Sequence, residues 1–171
     1  MPKLNEQLMT DEMRYEALRY SSDIAVKVGV TTVHALEGGS LFADEDVKAL
    51  LKYQDRLDVQ TVVYHQNPDV DLVKSEGLCR IGGCITVDGS LGSHTAALLE
   101  PYSDAPDSQG ILYYSQKEID DVVMEAHTSG MQIAMHTIGD AAIERLLTAY
   151  EKALAKHPRS DHRHRFEHFS V

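Results

Sequence analysis

The chain has 171 residues, of which 43% are hydrophobic and 25% charged, a balance that supports one sizeable core and excludes a disordered protein. Its formal net charge of -11 argues against nucleic acid and against anionic membrane surfaces as partners. No stretch approaches the ~20 apolar residues of a transmembrane helix, and the start has no signal-peptide pattern, so the sequence predicts a cytoplasmic protein whose two cysteines are reduced.

Predicted helices and strands alternate along the chain. Apolar residues recur at helical spacing from residue 11 to 28, and Gly29 ends that pattern. Segments rich in β-branched residues predict strands at 30–34, 57–65, 82–87, 131–136 and 163–169. The other predicted helices run from 44 through 51, over 70–74, from a capping box at 115–118 to 130, and from 140 to near 158. The segment 89–114 has no predicted element, and loops of that length are usually functional.

This alternation predicts an α/β fold with parallel strands, in a single domain over residues 1–171. A (β/α)8 TIM barrel typically needs ~250 residues, so the chain is expected to be an internal piece of one, with about five of the eight strands. A self-contained open α/β sheet fits the length better. No glycine-rich nucleotide-binding motif stands at a strand end to support that alternative.

Two histidines stand at the ends of successive predicted strands. His136 ends the fourth strand and His168 nearly ends the fifth, so parallel strands would place both side chains at the carboxyl edge of the sheet, where barrel active sites are built. On spacing alone, a metal-ligand role and a structural role are equally open for this pair. His34 and His65 also end strands and are second-rank candidates.

Five motifs follow one another along the chain. They are GVTTVH at 29–34, DGSLGS at 88–93, TAAL at 95–98, HTIGD at 136–140 and HRFEHF at 164–169. In this order the sequence resembles the metal-dependent amidohydrolases of family 3, which include the N-substituted formamide deformylase-like enzymes. The resemblance implies a (β/α)8 barrel that holds one or two divalent metals, usually zinc, and hydrolyses carbon–nitrogen bonds other than ordinary peptide bonds in small amide-type substrates.

The resemblance also implies roles for individual residues. His136 and His168 would be the metal ligands of the fifth and sixth barrel strands. The metal would lower the pKa of bound water to about 7 and polarise the amide carbonyl. The His-x-His pair of the first barrel strand, and the eighth-strand aspartate that serves as general base, have no counterpart in residues 1–171, so the catalytic residues stay unknown and this chain alone is expected to be inactive.

Three positions depart from the family pattern or stay open. Many members carry a bridging lysine where this chain has Cys84, whose thiolate is a good zinc ligand, although a buried apolar cysteine is as well supported. Asp88 shares a strand face with Cys84 and is predicted either to orient a ligand or substrate or, slightly favoured, to cap the turn at Gly89. His94 stands where the motif usually has arginine, beside the expected substrate site.

Two other functions compete with a hydrolase. An inactive or degenerate piece of a barrel would act as a folding or interaction module, and an unrelated α/β binding domain would match the five motifs by chance. A partial barrel has strand edges with unpaired backbone groups, so the sequence also predicts self-association of the chain.

Overall fold

The computed structural model describes residues 8–39 and 43–171. These residues form two compact units, divided between Asn67 and Pro68. The single domain over 1–171 stays a prediction. No helix among the described residues is long and apolar enough to cross a membrane.

The first unit alternates two helices and two strands. In chain order they are α1 (Asp11–Lys27), β1 (Thr32–Glu37), α2 (Asp44–Tyr53) and β2 (Gln60–His65). The Thr10 hydroxyl accepts a hydrogen bond from the Met13 N–H and begins α1, as an N-cap does. β1 and β2 are parallel, and their register places Glu37 opposite His65. The sequence prediction of alternating helices and parallel strands is therefore confirmed for this unit.

Helix α1 differs from its sequence prediction in the face that it buries. The apolar pattern predicts burial of residues such as Met13 and Val28, yet these are 50% and 74% exposed. The buried residues are Arg14 and Ser22. The Ser22 hydroxyl accepts hydrogen bonds from the Asp58 and Val59 N–H groups just before β2. Polar contacts with defined partners therefore orient α1, and part of its apolar face stays in solvent.

The second unit continues the alternation with three helices and three strands. They are α3 (Val70–Ser75), β3 (Arg80–Thr86), α4 (Gln116–Thr128), β4 (Gln132–Thr137), α5 (Asp140–Lys156) and β5 (Arg165–His168). β4 pairs in parallel with both β3 and β5. Fully buried side chains between the strands and the helices form its core, among them Ile81, Ile119, Ile133, Met135 and Leu146. The capping box predicted at the start of α4 is confirmed, because the Ser115 and Glu118 side chains each bond the other residue's backbone N–H.

Apart from a short 3-10 helix at Leu91–Ser93, the segment 89–114 is held by hydrogen bonds between loop residues. The Leu98 N–H donates to Gln109 O, and the Ile111 N–H donates to Thr95 O. At its end the Tyr113 N–H donates to Val87 O, which ties the segment back to the end of β3. A long loop with its backbone groups paired in this way has a fixed shape beside the carboxyl ends of the strands.

Candidate metal centre

Three side chains of ligand type converge at the carboxyl ends of β3, β4 and β5. They are Cys84, His136 and His168, called the carboxyl-end cluster below, and their candidate ligand atoms all lie within 4.8 Å of one another. The two imidazole rings lie 4.5 Å apart between centroids and meet at 73°. Cys84 and His136 are partly buried, and His168 is exposed. The structure thus brings together all three residues that the sequence singles out as metal ligands.

His168 reaches this cluster by a route that strand alternation does not predict. In the β4–β5 register His136 lies opposite Glu167, and His168 lies opposite Thr137. The two histidines are therefore offset by one residue in the register, although both lie at the carboxyl edge of the sheet. His168 and the following Phe169 have φ values of 75° and 51°, outside the extended region, so the backbone turns at the strand end and carries the His168 ring beside His136.

The orientation of His136 is set by the chain that leaves β3. Its Nε2 lies 3.0 Å from the carbonyl oxygen of Gly89. A carbonyl only accepts hydrogen bonds, so Nε2 carries the hydrogen, and a neutral imidazole in this state keeps its lone pair on Nδ1. The Nε2 atom also lies 3.6 Å from Asp88 Oδ1. The Gly89 carbonyl therefore fixes the tautomer of His136, as the outer partner of a metal-binding histidine does in other proteins.

Asp88 is fully buried and joins three parts of the backbone. Its carboxylate accepts hydrogen bonds from the N–H groups of Ala97, Ile138 and Gly139, at 2.9, 2.9 and 2.7 Å. The Gly89 N–H donates to Thr95 O instead. The capping role favoured for Asp88 from the sequence is therefore wrong. Its carboxylate links the segment 89–114 to the turn after β4, beside His136.

The HTIGD motif needs a glycine at position 139 for a steric reason. A Cβ atom at this position would lie 1.9 Å from the carbonyl oxygen of Ala97, far inside van der Waals contact. Only glycine lets the two backbones approach so closely, and the Ala141 N–H donates to that same Ala97 oxygen. The motif glycine thus preserves the junction that Asp88 holds.

His94 and the second-rank histidines lie outside the carboxyl-end cluster. His94 is in the left-handed conformation, with φ 53°, and its Nε2 lies 3.0 Å from Asp104 Oδ2. The bond to His94 holds the pKa of the Asp104 carboxyl below its usual value. In the first unit, the buried His65 contacts Asp44, and the His34 ring stacks near Tyr64. The substrate contact expected of His94 stays a prediction.

Glu167 is a residue of this site that sequence reasoning missed. Burial, and secondarily the negative charge of Glu167, raise the pKa of the Cys84 thiol. Arg165 Nη2 lies 3.1 Å from Glu167 Oε1, but hydrogen-bond geometry is met only at Oε2, 3.3 Å away. Glu167 is identified by its position opposite His136 in the β4–β5 register. That register is not visible in the sequence.

The donor set of the carboxyl-end cluster fits a divalent transition metal. Imidazole and thiolate are the ligands of tetrahedral zinc, with zinc–nitrogen distances of ~2.0–2.1 Å and zinc–sulfur distances of ~2.3 Å. Ligand atoms of one such ion lie ~3.3–3.8 Å apart by that geometry. Separations of up to 4.8 Å therefore need only small side-chain adjustments to meet on one ion. Three protein ligands with a fourth position open are typical of catalytic zinc.

Comparisons with known proteins show what the chain is similar to. Protein LONG AFTER FAR-RED 3 of Arabidopsis thaliana is 32% identical over 95% of this chain, and the chain spans only 31% of that relative's length. The putative amidohydrolase YtcJ of Bacillus subtilis is 40% identical over 45% of the chain, which covers 15% of YtcJ.

Two crystal structures show the same fold. An uncharacterized metal-dependent hydrolase from Pyrococcus furiosus matches 88% of this chain with a TM-score of 0.73 and 30% identity, over 33% of its own length. One from Pyrococcus horikoshii matches 87% with a TM-score of 0.70 and 26% identity, over 32% of its length. The predicted fold class, α/β and part of a metallo-hydrolase TIM barrel, is thereby confirmed. The model of the amidohydrolase family matches residues 7–171, and the chain belongs to that family.

Proposed function

We propose that this chain supplies part of the metal centre of a hydrolase that cleaves carbon–nitrogen bonds in small amides other than ordinary peptides. The carboxyl-end cluster carries the proposal, because a thiol and two imidazoles from three neighbouring strands lie within 4.8 Å of one another. Zinc is the metal proposed, since this donor set matches its preferences. A substrate of the kind used by the formamide deformylase-like enzymes is part of the same proposal.

Each residue of the cluster has a defined task in this proposal. His136, His168 and Cys84 hold the ion, and the Gly89 carbonyl keeps the His136 lone pair on Nδ1. A bound zinc ion acidifies its water to a pKa of about 7 and polarises the substrate carbonyl. The Asp88 junction ties the segment 89–114 to the turn beside the site, and this supports a role for that segment in contacting the substrate. His94 lies on the same segment and is proposed to contact the substrate from outside the carboxyl-end cluster.

The activity of the whole protein depends on groups that the cluster does not contain. The chain spans about a third of the length of the Arabidopsis relative and of both crystal structures. A first-strand His-x-His pair and an eighth-strand aspartate would have to come from residues outside these 171. General acid–base help typically contributes ~10²–10⁴-fold, so these 171 residues alone would be slow even with metal bound. An inactive folding or interaction module is therefore the second candidate function.

Zinc binding tests the proposal directly. The chain is dialysed against zinc, and its metal content is measured by mass spectrometry beside a His136→Ala, His168→Ala double variant. The half-buried His94 provides the control as His94→Ala, because it lies outside the cluster. We expect about one zinc ion per chain for the wild type and the control, and none for the double variant. Equal zinc content in all three would contradict the assigned ligands.

Hydrolysis is tested separately on formamides, acyl-amino acids and cyclic amides with zinc added. We expect slow turnover at most, and restored turnover when a longer protein supplies the missing groups. A longer protein with all expected ligands that binds zinc but hydrolyses none of these amides would favour the second candidate function.

Self-association and a cytoplasmic location stay predictions. Exposed apolar residues on α1, including Tyr20 at 68% and Met13 at 50%, add a physical reason for the chain to associate with a second copy. Light scattering at micromolar concentration tests this, and a monomer over that range would contradict it.

A further inference from the structure

A cleft of about 330 Å³ lies in the second unit between the segment 89–114, the start of α4 and the first turns of α5. Apolar side chains form one wall of the cleft, namely Leu99, Leu112 and Ala141. Glu144 and Arg145 of α5 are the charged residues of its lining, and neither belongs to the carboxyl-end cluster. Concave surfaces that combine an apolar wall with a few polar groups are the usual form of small-molecule sites.

Arg145 differs from the other arginines of the chain in having no partner for its guanidinium group. The others contact carboxylates, carbonyl oxygens, a sulfur atom or aromatic rings. Within residues 8–39 and 43–171 only the backbone oxygen of Arg145 is bonded, and it accepts from Gln116 Nε2 at 2.9 Å. The side chain is half-buried and lines the cleft, so a bound molecule can reach it. A guanidinium presents several N–H donors in a planar fork that matches a carboxylate.

Glu144 adds an opposite charge to the same lining. Its exposed side chain has no hydrogen bond or ion pair with the residues that the structure describes. Glu144 and Arg145 do not pair with each other, because neighbouring residues of a helix do not face one another. Thr148 lies three residues after Arg145, on the same face of α5, and contributes a hydroxyl group. The cleft therefore offers one cation and one anion to a ligand.

Charge decides which molecule suits these groups. A simple anion would pair with Arg145 but meet the carboxylate of Glu144, and a simple cation would have the reverse conflict. A neutral amide would leave both charges without a counter-charge. An α-amino acid avoids these conflicts, because it carries a carboxylate and an ammonium group on one carbon atom. Hydrogen bonds between charged groups are also stronger than those between neutral groups.

We propose that this cleft binds an α-amino acid with an aliphatic side chain. Its carboxylate accepts hydrogen bonds from Arg145, and its ammonium group donates to Glu144. The aliphatic side chain packs on Leu99 and Leu112, so the bound amino acid links the segment 89–114 to α5. The site is independent of the proposed metal centre, because none of these contacts involves a metal.

Three probes that share one branched alkyl group test the chemistry: L-leucine, 4-methylpentanoate and 3-methylbutylammonium. The second lacks the ammonium group of leucine, and the third lacks its carboxylate. The methyl signals of Leu99 and Leu112 are followed by carbon-13 NMR while each probe is added to the chain. We expect saturable shifts with leucine in the millimolar range, and at least about fivefold weaker binding of each ion. No saturable shift with leucine, or an ion that binds as tightly as leucine, would overturn the proposal.

Variants locate the binding. Glu144→Gln and Arg145→Met each remove one charge and keep most of the side-chain volume, so each is expected to weaken leucine binding about fivefold or more. Glu151→Gln and Arg163→Met are the matched controls, because these exposed residues lie outside the cleft, and their affinities should equal that of the wild type. Unfolding midpoints verify that each variant is folded. The exposed Glu144 keeps the test possible if Arg145→Met does not fold. Unchanged leucine affinity in a folded cleft variant would overturn the assigned site.

Discussion

The two ends of β4 and β5 each carry a group of histidines, and the two groups use their nitrogen atoms in opposite ways. At the carboxyl end, His136 and His168 converge with Cys84. At the amino end lie His127, His162 and His164, called the amino-end cluster below. Here the Ile133 N–H donates to His164 Nδ1, His164 Nε2 lies 2.9 Å from His127 Nδ1, and His127 Nε2 contacts His157 O.

This chain of bonds has only one arrangement of hydrogens. Because the Ile133 N–H must donate, His164 Nδ1 accepts and its Nε2 donates to His127 Nδ1. His127 Nε2 then donates to the His157 carbonyl. Both lone pairs are spent inside the protein, and none is left for a metal. What distinguishes a structural cluster from a candidate metal site is therefore whether its imidazole lone pairs already accept hydrogen bonds, and not the number of its histidines.

Removing each pair of histidines gives the largest expected contrast in stability. A His127→Ala, His164→Ala variant leaves the Ile133 N–H without its acceptor and opens a cavity around the buried His127, so we expect a loss of ~2–4 kcal/mol in unfolding free energy. The His136→Ala, His168→Ala variant should stay within ~1 kcal/mol of the wild type, because His168 is exposed. Urea unfolding in the presence of a chelator measures both, and the reverse order would contradict the comparison.

Acid should act on the amino-end cluster through His164. Burial, and then the charges of His162, His127 and Arg159, lower its pKa to about 3, against about 6.5 in an unfolded chain. The folded state therefore binds fewer protons, so this stabilisation is complete above pH 6.5 and is lost as the pH falls towards 3. His164 is partly exposed, which reduces the expected loss to ~1–3 kcal/mol.

His164→Asn isolates this effect from the carboxylates that titrate in the same range. The asparagine oxygen can accept from the Ile133 N–H as Nδ1 does, but it does not titrate. We expect the unfolding free energy of this variant to fall less than that of the wild type between pH 6.5 and 4, measured by urea titration at each pH. Parallel curves for the two proteins would show that His164 does not carry the dependence.

The two cysteines, near opposite ends of β3, differ in exposure and in the environment of the thiol. Cys79 is exposed just before the strand, whereas burial and Glu167 raise the pKa of the Cys84 thiol. Alkylation requires the thiolate, so at pH 7.5 we expect iodoacetamide to modify Cys79 ~10-fold faster than Cys84. Mass spectrometry of the two peptides measures the rates. Zinc should slow the reaction of Cys84 further and leave Cys79 unaffected, and equal protection of both would argue against Cys84 as a ligand.

The sequence predicts the fold well where local signals agree with tertiary packing. The capping box at Ser115 and the β-branched strands appear as expected, because these preferences act over a few residues. Helix α1 shows the limit, since its buried face is chosen by the contacts of Arg14 and Ser22 with residues more than 30 positions away. A helical apolar pattern contains no information about those partners.

Prediction of the site from the sequence meets the same limit, because local patterns do not show how distant residues meet. His136, His168 and Cys84 were identifiable from strand ends and motifs, and the structure brings them together. Their exact arrangement was not, because the β4–β5 register and the positive φ of His168 depend on how the strands meet. The role of Asp88 was missed for a related reason, as its three N–H donors lie 9 to 51 residues away along the chain.

Glu167 provides the smallest and most specific test of the carboxyl-end cluster. Its negative charge is the second cause, after burial, of the raised pKa of Cys84, so Glu167→Gln should bring that pKa partway back to its usual value. The thiolate fraction at pH 7.5 then rises, and we expect Cys84 alkylation to become ~2–3-fold faster, since a charge acting through partly hydrated surroundings shifts a pKa only modestly. Cys79 in the same sample is the internal control and should react at its wild-type rate. Unfolding in urea checks that glutamine leaves the β4–β5 pairing intact. A Cys84 rate that stays unchanged in the folded variant would mean that burial alone determines the state of this thiol, and that Glu167 lies too far from it electrostatically to belong to the site.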